Sequence, residues 1–521
     1  MMFHTETLRT AALAALEERL PEAGSGATPI PVTAPWTGET LAQLPAAGPA
    51  ELERAAARAR EAQRAWAARP VAERAAVLRR FHDLALARRD WLLDVIQTET
   101  GKARLHAFEE VLAAALAARH YAVRAGRLLA PKRRRGAVPG LTVTRELHHP
   151  LGLVGLIVPW NYPFSLAMED ALPALLAGNA VIVKPAEQTP FSALAGLALL
   201  EEAGLPAGVA QVLPGWGASL GPALVDAVDF VGFTGGSATG RQVAGRAGAR
   251  GIPCSLELGG KNPMLVLADA HLDATVAGAL RACFTNAGQL CIHAERLYVQ
   301  RALLEPFLER FAEAASRLRV GPGYGWDVEM GSLTSAAHLE KVTGQVDQAR
   351  QAGASVLCGG EARPDLGPCF YAPTVLAGVP AGTPPAAEET FGPVAAVWPF
   401  DDEDEALRLA NDSPFGLNAS VWTRDTRRGR ALAARIRCGT VNVNDAYAPA
   451  YASLDAPMGG MKASGIGRRH GDQGLLKYTA AQTVAVQRLA PIAPPPGLAP
   501  ERFANLTARV VGWLARIPGL R

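Results

Sequence analysis

The stretch FTNAGQLCIHAER, residues 284–296, places one cysteine, Cys291, just after a glycine and an amide, Gly288 and Gln289. A thiol there could be a nucleophile or a metal ligand. It could equally be half of a disulfide with Cys283, or core filler, since free cysteines are commonly buried. His293 offers a nearby base, but positions two apart on a strand lie ~7 Å apart, too far for a direct bond. Glu257 in LELGGKNP sits among apolar neighbours, a setting that raises a carboxyl pKa toward that of a general base. Asn161 in IVPWNYP is a neutral donor able to hold an oxyanion without titrating, although asparagine often only caps a turn. Lys184 and Glu187 in VIVKPAEQTP suit the hydroxyls of an adenosine ribose, and a carboxylate there repels a 2′-phosphate; a surface ion pair is the plainer alternative. In FTGGSATG the glycines let backbone approach a phosphate, and Ser237 can open a helix whose N-terminus attracts anions. The spacing is not G-x-G-x-x-G, so the ordinary dinucleotide fingerprint is absent. Glu389 and Phe391 in EETFGPV precede a strand, where the carboxylate could hold a second ribose.

These residues need elements to position them. Residues 50–130 are Ala-, Arg- and Leu-rich with helical spacing, broken at Pro70 and capped at Gly101. APKRRRGAVPG predicts a basic loop carrying Lys132 to Arg135. From Leu151, short runs rich in Val, Ile and Leu (LGLVGLIVPW, NAVIVKP, GVAQVLPG, DFVGFTGG, PCSLELGG) alternate with helical segments. That alternation predicts an α/β fold with a parallel sheet covered on both faces. Such sheets bind ligands beyond the carboxyl ends of their strands. After Lys261 a second α/β pattern begins, with strands expected in ASVLCGG, NASVWT and GTVNVND. Segments near 137–150 and 478–488 alternate like exposed strands, as a flap pairing with another subunit would. The tail ERFANLTARVVGWLARIPGLR follows a Pro-rich spacer and sets Phe503, Leu506, Val510, Trp513, Leu514 and Ile517 on one helical face. Arg502, Arg509 and Arg516 lie on another. Docking on its own protein is the first expectation for that helix, contact with a membrane surface the second.

The whole chain narrows the classes. It has 521 residues, 49% of them apolar, with 52 basic against 49 acidic side chains. That balance gives no general pull toward nucleic acid or membrane. Six scattered cysteines, with no CxxC pair, read as reduced thiols of a cytoplasmic protein without a zinc ribbon. The opening MMFHTETLRTAALAALEERL reads as an amphipathic helix rather than a signal peptide. No run of about 18 uncharged apolar residues predicts a membrane span.

PWNYP, KPAEQTP, FTGGSATG, LELGGKNP, GQLC and EETFGPV follow one another in an order and spacing that resemble the aldehyde dehydrogenase superfamily, over about residues 30–490. The 34-residue interval from Glu257 to Cys291 is similar to that family's base-to-nucleophile spacing. Within it, NAGQLCIHAERLYV, SLDAPMGGMKASGIGRRHGDQGLLKYT and the tail most resemble a bacterial succinate-semialdehyde dehydrogenase branch. The resemblance implies NAD(P)-dependent oxidation of an aldehyde by the non-acylating, hydrolytic route. Cys291 would be the nucleophile, Asn161 an oxyanion donor, Glu257 the base for water, and Lys184 a further member of the catalytic group. Trp160, Lys184, Glu187, Gly215, Gly236, Ser237, Leu258, Glu389 and Phe391 would contact the cofactor, with no metal. It also implies a Rossmann-like core at 151–260 joined to an N-terminal helical part at 1–136. A catalytic domain would span 261–446, oligomerisation strands 137–150, a return segment 447–490 and the tail 491–521. A homodimer or homotetramer would follow.

The sequence also departs from that branch. Where its members resemble one another in two carboxylate-gripping arginines, this chain has Glu169 and Thr285. A pocket glutamate would repel succinate semialdehyde. Tyr162, Trp216, Met458 and the loop 445–452 suggest instead a partly apolar tunnel for medium or long aliphatic, or aromatic, aldehydes. Glu187 favours NAD, with NADP as a second cofactor. Arg469 stands where many relatives carry a relay glutamate, which leaves Glu257 as the main base.

Overall fold

The structure is a computed structural model that describes residues 6–20, 28–138, 141–488 and 491–516. Two compact units emerge, one from residues 1–129 with 149–480, the other from 130–148 with 481–521.

In the first unit, helices Pro49–Ala68, Val71–Ala87, Arg89–Thr100 and Arg104–Leu129 occupy the N-terminal stretch. Pro70 separates the first two as its missing N–H requires. Gly101 ends the third in the left-handed region (φ 73°), where an added Cβ would strike Ser332 Oγ at 2.1 Å.

A six-stranded sheet follows in the order Gly465–Ile466, Cys254–Glu257, Phe230–Thr234, Leu153–Ile157, Ala180–Lys184, Ala210–Val212. All neighbours are parallel except the short first strand. Successive side chains feed two separate cores. Val154, Leu156, Val181 and Val183 enter one with helices Pro163–Ala177 and Pro190–Glu202, whereas Leu153, Ile182 and Val231 enter the other with helix Gly217–Ala227. Burial on both faces explains why these strands read as continuous apolar runs. Ile157, Lys184, Thr234 and Glu257 are the last residues of four of the parallel strands.

A second sheet of seven strands runs Ser355–Cys358, Thr374–Ala377, Val394–Phe400, Ala294–Gln300, Asn262–Val266, Asn418–Trp422, Thr440–Val443. Only its first pair is antiparallel. The strands expected in ASVLCGG, NASVWT and GTVNVND are among them. The chain passes from Glu257 in the first sheet to Asn262 in the second through LGGK, so the carboxyl end of one sheet meets the amino end of the other.

In the second unit, Lys132–Arg134 is a strand rather than the expected loop. It pairs antiparallel with Thr142–Pro150, and Arg134 Nε donates to Glu146 Oε2 at 2.6 Å. Cross-strand charge pairing offsets the weak β-propensity of a basic run. Strand Thr479–Gln487 completes this three-stranded sheet and is exposed along nearly its whole length. Helix Pro500–Leu514 carries Leu506, Val510 and Trp513 at 58, 47 and 63% exposure, with Phe503 and Leu514 half-buried on the same face. Ile517 lies outside the described residues. No helix among the described residues is long and apolar enough to cross a membrane.

Candidate active site

Cys291 owes its position to an unusual turn. Asn286, Ala287 and Gly288 all take left-handed backbone, at φ 53°, 53° and 70°. Non-glycine residues held there cost about 1–3 kcal/mol each, so surrounding contacts must enforce the shape. Gln289 does so by donating to Asn286 O (3.0 Å) and Ser332 O (3.2 Å) while accepting from Thr334 N (2.9 Å). Gly288 is required at its position, because a Cβ would meet Gly392 O at 2.0 Å. Cys291 itself packs against the core of the second sheet. All six cysteines are free thiols, and Cys283 is packed in the core of the second sheet. His293 is not poised on Cys291: its Nδ1 lies 2.5 Å from Leu290 O and its Nε2 3.0 Å from Glu295 Oε1.

Asn161 follows the Leu153–Ile157 strand, and its Nδ2 donates to Gln289 O at 3.0 Å. That bond ties the PWNYP loop to the cysteine turn. Two buried charges beneath hold the loop. Lys102 Nζ donates to Asn161 O at 2.6 Å and is ion-paired with Glu110. Glu110 Oε2 accepts the free N–H groups of Phe164 and Ser165 at the start of helix Pro163–Ala177 (2.9 and 3.2 Å). Neither residue was legible in the sequence, where both are charges in or beside polar helical segments.

Glu257 is buried, and its Oε1 has no hydrogen-bond partner among the described residues. Burial raises its pKa to about 7, against the lowering pull of Arg469 and Lys477. Burial also lifts the Cys291 thiol to about 12; the Glu257 charge adds to this and Arg469 opposes it. Arg469 is therefore a cation beside the site rather than merely a lost relay. It is fully buried, with Nη2 on Asp170 Oδ2 and on Thr234 Oγ1, both at 2.6 Å. Burial alone would raise Asp170, but Arg469 and Lys477 outweigh it and hold that carboxylate below its ordinary value.

Two cavities meet at Cys291. One, of about 230 Å³, is lined by Trp160, Asn161, Gly236, Glu257, Leu258 and Cys291, together with Glu389 and Phe391. Trp160 packs edge-on against Phe391, ring centroids 5.5 Å apart. Glu295 sets the EETFGPV loop by accepting from Thr390 N and Phe391 N at 3.0 and 2.9 Å. Burial raises Glu389 to about 7, and its Oε1 accepts from Gly260 N at 2.7 Å. Lys184, Glu187, Gly215 and Ser237 are not in the lining of this cavity. Lys184 Nζ donates to Glu187 Oε1 (3.1 Å), which also accepts from Gly217 N (2.6 Å), two residues after Gly215. These features fit a dinucleotide. Ser237 opens a fourteen-residue helix, its buried hydroxyl without a hydrogen-bond partner among the described residues, and a Cβ at Gly236 would meet nothing described within 4 Å.

The other cavity, of about 150 Å³, shares Asn161, Leu166 and Cys291 with the first. Leu112, Leu116, Leu290, Ile292 and Met458 make it largely apolar, with Tyr162, Tyr447 and Tyr451 in its wall. Three expected pocket residues lie elsewhere. Glu169 is buried behind Tyr451, whose hydroxyl donates to it at 2.7 Å. Thr285 stands behind Tyr447, hydroxyl to hydroxyl at 3.2 Å. Trp216 precedes helix Gly217–Ala227 and donates to Thr28 O at 3.0 Å, at the Lys184 and Glu187 cluster instead. The tyrosines intervene because the loop 445–452 folds over those positions, which residue counting from Asn161 or Cys291 does not reveal.

Residues 22–484 match the aldehyde dehydrogenase family. The chain is 49% identical, over 94% of its length and 95% of the relative's, to a protein of Mycolicibacterium smegmatis provisionally named succinate-semialdehyde dehydrogenase (NADP(+)). Among solved structures, an NADP-dependent enzyme of E. coli superposes with TM-score 0.86 at 36% identity, covering 90% of this chain and 96% of that one. PnpE of Pseudomonas sp. WBC-3, in complex with nicotinamide adenine dinucleotide, superposes with TM-score 0.87 at 34% identity, covering 92% and 98%. The chain belongs to the aldehyde dehydrogenase family.

Proposed function

We propose that this chain oxidises an aldehyde to a carboxylic acid with NAD(P), through a thioester on Cys291. The observation that carries the reading is the place of Cys291, where a cavity lined by Trp160, Gly236, Glu389 and Phe391 meets an apolar cavity, with Asn161 and Glu257 beside the thiol. Burial keeps the thiol neutral at rest; attack requires transfer of its proton to water, and Arg469 is the cation that favours the thiolate. Sulfur adds to the aldehyde carbon, and the oxyanion so formed faces the Asn161 amide and the Cys291 N–H. The dinucleotide, when bound, supplies the hydride acceptor that makes the thiohemiacetal oxidisable to the thioester. Glu257 then takes a proton from water, the hydroxide adds to the thioester carbonyl, and the C–S bond breaks to release the acid. Trp160, Gly236, Ser237 and Leu258 would hold the dinucleotide phosphates and nicotinamide end, Glu389 and Phe391 its nearer ribose. Lys184 and Glu187, with Gly215 close by, would hold the adenosine ribose.

The name of the Mycolicibacterium relative supports succinate semialdehyde as substrate. A second reading, medium or long aliphatic or aromatic aldehydes, rests on the apolar lining and on Arg469. That side chain is the one basic group in the lining, and it is committed to Asp170 and Thr234. A kcat/KM panel over these aldehydes with both cofactors decides between them. Glu187 predicts kcat/KM for NAD above that for NADP by about tenfold, the scale of one unfavourable charge contact. Glu187→Ser should narrow that ratio, and a severalfold preference of the wild type for NADP would overturn the assignment.

The exposed Thr479–Gln487 strand, at the edge of its three-stranded sheet, supports a homodimer or homotetramer, since exposed edge strands are templates for pairing with another chain. Light scattering should then give a mass of at least two chains, and a monomer at micromolar concentration would count against it.

A further inference from the structure

The segment that fixes the PWNYP loop also reaches the cysteine turn. Lys102 and Glu110 hold the loop, and His106 lies between them, one turn before Glu110 on helix Arg104–Leu129. Residues four apart share a helix face, whereas Glu109, about 100° round from Glu110, lines the apolar cavity. His106 is buried, and its Nδ1 accepts from Asn286 N at 3.1 Å. Asn286 is the first of the three left-handed residues that lead to Cys291.

That bond has requirements on both sides. A buried N–H needs an acceptor, and a non-glycine residue stays at positive φ only where its surroundings enforce it. An imidazole accepts at Nδ1 only while neutral, with its proton on Nε2. Burial pushes the His106 ring down to about 3, and the Lys102 charge adds to this, so the ring is neutral near pH 7. Asn286 passes the constraint on. Its Nδ2 donates to Asn161 O at 3.2 Å and to Gln289 O at 3.1 Å. Gln289 O also receives the Asn161 amide. Holding Asn286 therefore holds the junction between the cysteine turn and the PWNYP loop.

We propose that His106 is a positioning residue for the reaction. By accepting the Asn286 N–H it keeps the turn from Asn286 to Gly288 left-handed, and so keeps the Cys291 thiol and the Asn161 amide aimed at one carbonyl. This deepens the reading of Cys291 as nucleophile and rests on it. His106 acts only through the turn, since it lines neither cavity.

The test compares the first turnover of the wild type, His106→Phe and His106→Asn by rapid mixing, with the aldehyde of highest kcat/KM in the panel above. Each rate is divided by the dinucleotide sites titrated, which counts folded protein. Asparagine places an oxygen where Nδ1 stands; phenylalanine fills the space without an acceptor. His106→Phe should slow the first hydride transfer per site by about 10²-fold, the scale of a ~1 Å misplacement, with the dinucleotide Kd unchanged. His106→Asn should restore most of the rate. Where His106→Phe does not fold, His106→Gln, whose amide reaches the place of Nε2 instead, takes its part and should be slow as well. A wild-type rate per site without the Nδ1 acceptor, or His106→Asn as slow as His106→Phe, overturns the proposal. If the wild type oxidises no aldehyde, the reading of Cys291 falls with it.

Discussion

Replacing Cys291 by alanine should lower aldehyde-dependent reduction of the nicotinamide cofactor by about 10⁴-fold or more, the scale seen when a covalent nucleophile is removed. The thiol is the one nucleophilic group common to both cavities. Without it no thioester forms, and hydride departure has no tetrahedral precursor. Dinucleotide binding should survive, because the remaining wall of that cavity, from Trp160 to Phe391, and the cluster of Lys184, Glu187 and Gly217 are untouched. Steady-state turnover together with dinucleotide titration by protein fluorescence checks both halves. Turnover above about one per cent in the variant would remove Cys291 as nucleophile. Loss of dinucleotide binding would instead show that the turn from Asn286 to Gly288 had relaxed.

Glu257→Gln should separate the two halves of the reaction. Glutamine keeps the shape but accepts no proton, so thioester hydrolysis slows by about 10²–10⁴-fold, the usual contribution of a general base. The first hydride transfer is spared, since the change removes a negative charge that helps hold the Cys291 thiol neutral. Rapid mixing should show a burst of about one reduced cofactor per chain followed by a stalled phase, with acyl mass retained on Cys291. A variant that loses burst and steady state equally would place Glu257 before the thioester.

The pH dependence has a definite sign. A carboxyl at about 7 is protonated below that pH and blocked as a base. Where hydrolysis limits, wild-type kcat should rise about tenfold per pH unit up to neutrality and then level, and Glu257→Gln should lack that limb. Stability follows the same linkage. The folded pKa lies above the ordinary glutamate value of 4.5, so the contribution of Glu257 is fully present below 4.5 and is lost as pH rises through 7. Glu257→Gln should thus melt higher than the wild type at pH 8 and lose that advantage below pH 4.5.

Much of this site lay open in the chain itself. Asn161, Lys184, Gly236 and Glu257 each sit at or just past the carboxyl end of an apolar run. Such runs must be buried on both faces, and that fixes where their ends emerge. Leu153 to Ile157 and Ala180 to Lys184 became strands because β-branched and aliphatic residues had two cores to fill. The KRRR segment forms a strand against its composition, because Arg134 pairs with Glu146 across the ladder, which composition does not reveal.

The sequence by itself determined the parts of the proposed reaction: a thiol, a carboxylate and an amide, which the fold brings to one cavity. Only the tertiary structure decided what surrounds them. It turned Glu110 inward and Glu109 toward the cavity, although the two are neighbours in sequence. It hid Glu169 behind Tyr451 and Thr285 behind Tyr447, and brought Arg469 to face Cys291 and Glu257 from far along the chain. Strand ends follow from local apolar pattern. The direction of a side chain follows from which partner and which cavity the packed elements leave beside it.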